Sequence, residues 1–337
     1  SRLNYPLIDG KVVGCPSHLL EPQSTNSIAY SNFQSGWSLL SGGSITQNQS
    51  ISPDGTQNAA ILSGDGVGAN AAYTSIVTSP QTYTYSIFAK KITQDIFKIL
   101  GFSSGANGFV EFNLSNGTIE TAPTLNFSNA KIEDYGNGWY RCSANVNVTV
   151  TGSPLFGFNR EAIVSGDLFS VYGAQFEVQN LSSYIPTNGS TVTRSAETAN
   201  GAGDASTFND SEGVFMAELL WTETSSNIYI SIDDNTSNNR ILIYSNSTDD
   251  IKALVSSGGS TQVAFTATNQ DPTTFSKVAI KYKENDFALW INGIKLLTDT
   301  VGSTPIGLNA LGFRAGGGTN PFNGNVKQLQ YFDSALA

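Results

Sequence analysis

Histidine is almost missing from this chain: His18 is the only one in 337 residues. A single imidazole excludes metal sites built from several histidines. A serine triad would have to use His18, which lies in the turn-like stretch "CPSHLLEP" without a G-x-S-x-G partner. Cysteine is scarce too, and Cys15 and Cys142 are too few for a disulfide framework. Charged residues make up only 13%, which argues against long solvated helices with Glu, Lys and Arg on their outer faces. No apolar run approaches the roughly 18 residues of a membrane helix, so membrane insertion is not expected. Clustered basic charge is absent as well. The net charge is −10, and Lys277, Lys281 and Lys283 are the polar face of one strand, so nucleic-acid binding is not expected.

Glycine (33 residues), aromatics (11%) and uncharged polar residues are plentiful, a profile that suits short strands joined by Gly- and Asn-rich turns. Period-two alternation dominates. In "WYRCSANVNVTV", Tyr140, Cys142, Ala144, Val146, Val148 and Val150 share one face, and Arg141, Ser143, Asn145, Asn147 and Thr149 the other. Cys142 therefore points with the apolar set, as a core residue rather than a reactive thiol. "TYTYSIFAK" and "GFVEFNLSNGTIE" alternate similarly, the latter closing on the hairpin signal Asn116-Gly117. In the second half, Val278, Ile280 and Tyr282 oppose the three lysines, and Phe287, Leu289 and Ile291 form the next apolar row. Asn292-Gly293 then turns into Ile294 and Leu296. The chain is expected to be all-β: two antiparallel β-sandwiches in tandem.

A seam is predicted between the halves. Residues 168–178 form the last strand of the first sandwich, and Pro186 in "SYIPT" cannot donate to a sheet ladder. The expected organisation is a connecting segment over 1–24, a first sandwich over 25–194, a linker over 195–211 and a second sandwich over 212–337.

Paired carboxylates for glycosidic chemistry are hard to find. Glu218 and Glu223 lie an odd number of residues apart and so face opposite sides of a strand. Asp233 and Asp234 stand together in a turn. The loop from Asp233 to Asn239 has two readings: a Ca²⁺ site at a lectin-like rim, with Asp233 and Asp234 as ligands, or an ordinary polar turn. Sugar binding needs flat aromatic faces beside planar polar groups, which makes Trp37, Trp139, Trp221 and Trp290 the candidate ligand-binding residues. Trp290 and Trp139 are out of phase with the apolar rows of their own strands. Each either offers a stacking platform or covers its sheet beneath a loop.

Five stretches carry a family resemblance: "CPSHLLEPQSTNSIAYSNF", "SPDGTQNAAIL", "YTYSIFAKK", "YGNGWYRCSANV" and "VYGAQFEVQNLSSYIPTNGSTVTRSAE". They resemble a module of bacteriophage tail fibre and tail-associated proteins, a jelly roll similar to carbohydrate-binding modules. "SEGVFMAELLW", "NNRILIYS", "FSKVAIKYKENDFALWINGIKLLTDT" and "FNGNVKQLQYFDSALA" resemble the laminin-G/concanavalin-A-like domain that often follows it. The resemblance implies a non-enzymatic receptor-binding component of a virion tail. Its partners would be bacterial cell-surface polysaccharide and other tail proteins, with assembly as a homo-oligomer such as a trimer. It also implies an anchoring portion ahead of Ser1. Two other readings stand beside it: a purely structural virion protein, and a non-catalytic fragment of a secreted polysaccharide-active enzyme.

Overall fold

The computed structural model describes all residues except 1, 5, 6, 9, 10, 13, 41, 42, 68–70, 104, 160–164, 200, 223–227, 247, 248, 319 and 337. Among the described residues there is no helix. The chain divides into two compact units. One comprises Leu7–Val13 and Gln23–Ser195, the other Ser1–Pro6, Gly14–Pro22 and Ala196–Ala337.

The first unit is built on two six-stranded antiparallel sheets. One runs in the order Phe127–Asp134, Trp139–Val148, Gln81–Lys91, Ser165–Val178, Ala59–Asp65, Ser44–Ser50. The other runs Thr118–Thr121, Gly108–Asn113, Ile96–Gly101, Leu155–Phe158, Ala71–Ser75, Ser38–Leu40. The alternating apolar rows meet between them. Tyr85, Ile87, Cys142, Ala144, Val146 and Phe176 pack against Phe97, Ile99, Val110, Phe112, Phe156 and Phe158 in one cluster. Burying each large apolar side chain contributes about 1.5–3 kcal/mol, so these rows fix strand register. Cys142 is fully buried, and that burial pushes its thiol well up, as expected of a core residue. Val150 is exposed because the strand ends at Val148.

At the predicted seam, side chains take over from the ladder. Strand Ala59–Asp65 accompanies Ser165–Val178 only as far as the Ala60–Val171 pair. Beyond it, Ser27 N donates to the Phe176 carbonyl and Ala174 N to the Ser31 carbonyl, both at 2.8 Å. The fully buried Asn26 donates through Nδ2 to the Ala174 and Ile185 carbonyls and accepts at Oδ1 from the amides of Ile28 and Phe176. The chain then turns back. Ser182 N donates to Glu177 at 2.8 Å and Ile185 N to Gln175 Oε1 at 2.7 Å. The backbone of Ser27 and Ser31 and the side chains of Asn26, Gln175 and Glu177 thus satisfy the groups that a continued strand would have paired.

The second unit pairs a seven-stranded sheet with a five-stranded one. The first runs Arg2–Asn4, Ser17–Leu20, Gly324–Phe332, Glu212–Trp221, Ser276–Lys283, Phe287–Ile291, Ile294–Asp299. The second runs Ser260–Thr268, Asp250–Ser257, Arg240–Ser245, Ile228–Asp233, Ala310–Gly312. Phe215, Leu219, Ile280, Tyr282 and Leu289 meet Ile232, Ile241, Ile243, Val255 and Phe265 in its core.

Two expectations need correcting. Part of the 1–24 segment does more than connect: Ser17–Leu20 pairs with Gly324–Phe332, and Leu20 enters the second core. The 195–211 stretch is also tied down. Glu197 N donates to the Glu21 carbonyl, and Phe208 is buried in the same core. On the sheet's edge strand, Ile294 and Leu296 are exposed, and Leu296 is the extra residue of a bulge opposite Leu289 and Trp290.

Candidate functional site

The outward face of strand Gln81–Lys91 carries the densest aromatic grouping outside the two cores. In register across the sheet stand Glu133, Arg141, Phe88 and Tyr172, one from each of four adjacent strands. Phe88, out of phase with Tyr85 and Ile87, forms the floor. Tyr135 meets it edge-on, with ring centroids 4.9 Å apart, Tyr172 lies at 6.0 Å and Tyr184 at 6.2 Å. Tyr172 and Tyr184 touch each other at 5.2 Å. All three tyrosines are half-buried, so parts of their rings face solvent.

Local sequence builds each position. Gly173 lies at φ +60° inside a bulge, where Gly173 and Ala174 are accommodated opposite Ile87. The bulge resets the alternation so that Tyr172 and Gln175 both point outward. A Cβ at 173 would lie 3.0 Å from Phe88 and 3.2 Å from Tyr184, so glycine permits the contact. Tyr135 opens the tight "YGNGW" turn, donating its amide to the Trp139 carbonyl at 2.8 Å. Tyr184 belongs to the returning "SYIPT" segment, and its hydroxyl pairs with Ser31 Oγ at 2.6 Å.

Two charged groups border the rings. Asp54 accepts from Tyr172 Oη at 2.9 Å, Ser52 Oγ at 2.7 Å, Thr56 N at 2.8 Å and Asn58 Nδ2 at 2.9 Å. Partial burial pulls its pKa up. The hydrogen bonds from Thr56, Ser52 and Asn58 outweigh that effect and hold the carboxyl well below the usual range. Arg141 lies 5.1 Å over the Phe88 ring and donates to Ser86 Oγ at 3.1 Å. Burial is the main reason that Tyr184 is pushed up to about 12, against the Ser31 hydrogen bond; Asp54 adds to the rise and Arg141 opposes it. Chemically, this is a set of ring faces beside one fixed acceptor and one fixed donor.

The four tryptophans fare differently. Trp139 points outward as its phase requires, but it is only 2% exposed and its indole N–H is spent on the Ile51 carbonyl at 3.0 Å. Trp221 is fully buried in the second core. Neither offers a ring face to a sugar, which corrects both as stacking platforms: a loop covers the first and the second is in phase with its core. Trp37 is half-buried against Phe33 and Phe158, at 4.9 and 5.5 Å, with its N–H on the Tyr30 carbonyl. Trp290 stands half-buried on the outer face, between Ala279 and Lys295 in register, with the Lys295 ammonium 5.8 Å from its ring.

The acids do not form a cation cage. Asp233 is fully buried and accepts from Ser231 Oγ, Asn235 N at 2.8 Å and, at 3.5 Å, Arg314. Asp234 accepts from Thr236 N at 2.8 Å and Asn239 Nδ2 at 2.9 Å. The two carboxylates serve separate partners and one is already neutralised by a guanidinium, so the loop does not fit Ca²⁺. Among the described residues no three His, Cys, Asp or Glu side chains converge on a metal position. Glu218 lies 3.9 Å from both Lys277 and Lys327, while Glu223 lies outside the described residues.

The second unit's two facing sheets carry the comparison that succeeds. Residues 216–337 match the family profile described as the concanavalin A-like lectin/glucanases superfamily. This concanavalin A-like region holds Trp290, Trp221, Asp233 and Asp234. No curated protein matches the chain. Among solved structures, the chain is similar to the CBM40 of a Ruminococcus gnavus IT-sialidase, at 15% identity and TM-score 0.34, over 42% of this chain and 92% of that one. It is similar to a candidate carbohydrate-binding protein from Bacteroides ovatus, at 10% identity and TM-score 0.30, over 79% and 75%. Domains LG4-5 of the mouse laminin alpha1 chain align at 8% identity and TM-score 0.27, over 96% of both chains. Likeness at this level does not carry a ligand from one protein to another.

Sequence reasoning missed Tyr135, Tyr172, Tyr184, Asp54 and Arg141. The usable signal was Phe88, which stands on the polar side of its strand.

Proposed function

We propose that this protein is a non-enzymatic receptor-binding component of a phage tail that holds bacterial cell-surface glycans on open aromatic faces of its sandwiches. The single observation that carries the binding is the half-buried trio of Tyr135, Tyr172 and Tyr184 around Phe88, with Asp54 beside it. Sugar C–H faces stack on such rings while fixed polar groups take the hydroxyls. The concanavalin A-like region supports the reading, with Trp290 as its open ring. The virion location, the other tail proteins and a trimeric assembly come from the sequence resemblance alone. The test is a glycan array of host-surface oligosaccharides against the wild type, Tyr172→Ala and Trp290→Ala. Binding by the wild type that falls roughly tenfold in Tyr172→Ala is expected. No binding by the wild type sinks the proposal.

A second reading, assembly through the sandwiches, is favoured by one observation. Ile294 and Leu296 are exposed, 64% and 40%, on the edge strand Ile294–Asp299. Open edges recruit further strands. Light scattering that finds an oligomer in the wild type and a monomer in Ile294→Lys would support it.

A further inference from the structure

Arg141 is a buried cation without a counter-ion. It is 3% exposed, yet no carboxylate among the described residues pairs with it. Its one hydrogen bond goes to the neutral Ser86 hydroxyl. Nε is sealed from solvent and has no acceptor. Nη1 has no hydrogen-bond partner among the described residues and is not one of the atoms sealed from solvent. Glu133 is its register neighbour on the next strand and shares its face, but the Glu133 carboxylate is exposed and makes no ion pair with Arg141. A guanidinium taken out of water and left unpaired is costly, and the Phe88 ring offsets only part of that cost. Among the other buried charges, Lys98 is matched by Glu111 and Asp233 by Arg314, while Glu177 accepts from Ser24, Gln175 and Ser182.

We infer that Arg141 receives the carboxylate of an acidic sugar residue whose ring is held among Tyr135, Tyr172 and Tyr184. The inference rests on the glycan-binding reading of this site and names its ligand class, a glycan bearing hexuronate or a similar carboxylated sugar. The guanidinium is planar and presents a fork of N–H donors matched to a planar carboxylate. Nη1 is the first donor that such a ligand meets. Nε, buried and without an acceptor, is the donor left for the second carboxylate oxygen. Asp54, at the opposite side of the rings, repels a carboxylate and accepts hydroxyls, so it orients the sugar with its acid towards Arg141.

The experiment compares calorimetric titrations of a hexuronate-containing oligosaccharide, its methyl ester and the corresponding neutral hexose oligosaccharide. The wild type is expected to bind the acid roughly tenfold or more tightly than the ester or the neutral sugar. Arg141→Gln should abolish that preference, bringing the affinity for the acid down to that of the ester and the neutral sugar in the same variant, and Tyr172→Ala should weaken all three. Equal affinity for acid and neutral sugars in the wild type overturns the inference and leaves glycan binding intact. Binding of none of them overturns both. Should Arg141→Gln fail to fold, the NMR resonance of Arg141 Nε–H in the wild type decides. A shift with the uronate and not with the ester supports the assignment. No shift, or an equal shift with inorganic sulfate or phosphate, rejects it.

Discussion

The outer faces of two sheets, one in each sandwich, begin from the same alternation and finish in opposite states. In the first sandwich, the outward residues Ser86, Arg141, Ser143, Gln175 and Glu177 are buried. In the second, the outward residues Lys277, Lys281, Lys283 and Trp290 are exposed or half-buried, and the lysines pair with Glu218, Asp286 and Glu212 in surface ion pairs. The strands themselves do not differ in kind. What differs is the returning chain: residues 182–187 hydrogen-bond to Gln175, Glu177 and Ser31, covering what would otherwise be a solvated face. A polar strand face is thus no guarantee of exposure, and polar side chains beneath a cover must be matched almost one for one.

Trp139 and Trp290 give the widest separation between the two faces. Trp139→Ala removes a ring that is 2% exposed and strands the Ile51 carbonyl, so a loss of about 3–5 kcal/mol is expected. Trp290→Ala should cost about 1 kcal/mol or less, as at an open surface. Urea unfolding followed by far-UV circular dichroism measures both. Equal losses would erase the distinction between covered and open faces.

The next largest effect tests the cover itself. Glu177 is fully buried and accepts from Ser24 Oγ, Gln175 Nε2, Ser182 N and Ser182 Oγ. Glu177→Ala leaves these donors buried without an acceptor, and a loss of about 3 kcal/mol follows. Amide exchange of Ser182 and Ile185 should quicken more than that of Ile87. Unchanged protection at Ser182 would show that the segment is held by something other than this carboxylate.

These two cases also mark what was legible in the sequence. Period two placed Cys142, Tyr282 and Leu289 correctly, because a one-residue slip would move each whole row from core to solvent. It placed Trp139 and Trp290 on outward faces, also correctly. It could not say which outward face is covered, since Trp139 is tied to Ile51, 88 residues away along the chain, by a side chain to backbone bond. The Gly173 bulge hid Tyr172 for a related reason: it breaks the phase on which the reading depends. Arg141 looked like one more polar residue of a solvated face, and only its burial sets it apart.

A smaller effect sharpens the comparison at the rim of the first face. Asp54 is exposed and its partners can be replaced by water, so Asp54→Asn should cost about 1 kcal/mol at neutral pH. The sign with pH is fixed by its lowered pKa. The carboxylate contributes fully above the ordinary value of roughly 3.9, and the contribution is lost as pH falls from there towards the folded value. The gap between the thermal midpoints of wild type and Asp54→Asn should therefore narrow as pH is lowered from neutral to roughly 3. A gap that widens on acidification would mean that Asp54 is not held ionised by its loop.

The smallest effect belongs to the open face. Lys277 lies 3.9 Å from Glu218, with side chains 57% and 20% exposed. An ion pair of that length in water is worth at most about 0.5 kcal/mol, because solvent screens the attraction and ordering two long side chains opposes it. Glu218 also keeps Lys327 at 3.9 Å, so removing Lys277 does not leave a bare carboxylate. The Lys277 amide, which donates to Asn292 Oδ1, is untouched by a side-chain change. Threonine is the better replacement, since it keeps the strand preference that alanine would lower. Lys277→Thr is accordingly expected to shift stability by less than about 0.5 kcal/mol, and by still less in high salt. A loss above roughly 1 kcal/mol that survives high salt would show that this lysine is packed rather than solvated. The second face would then be covered like the first.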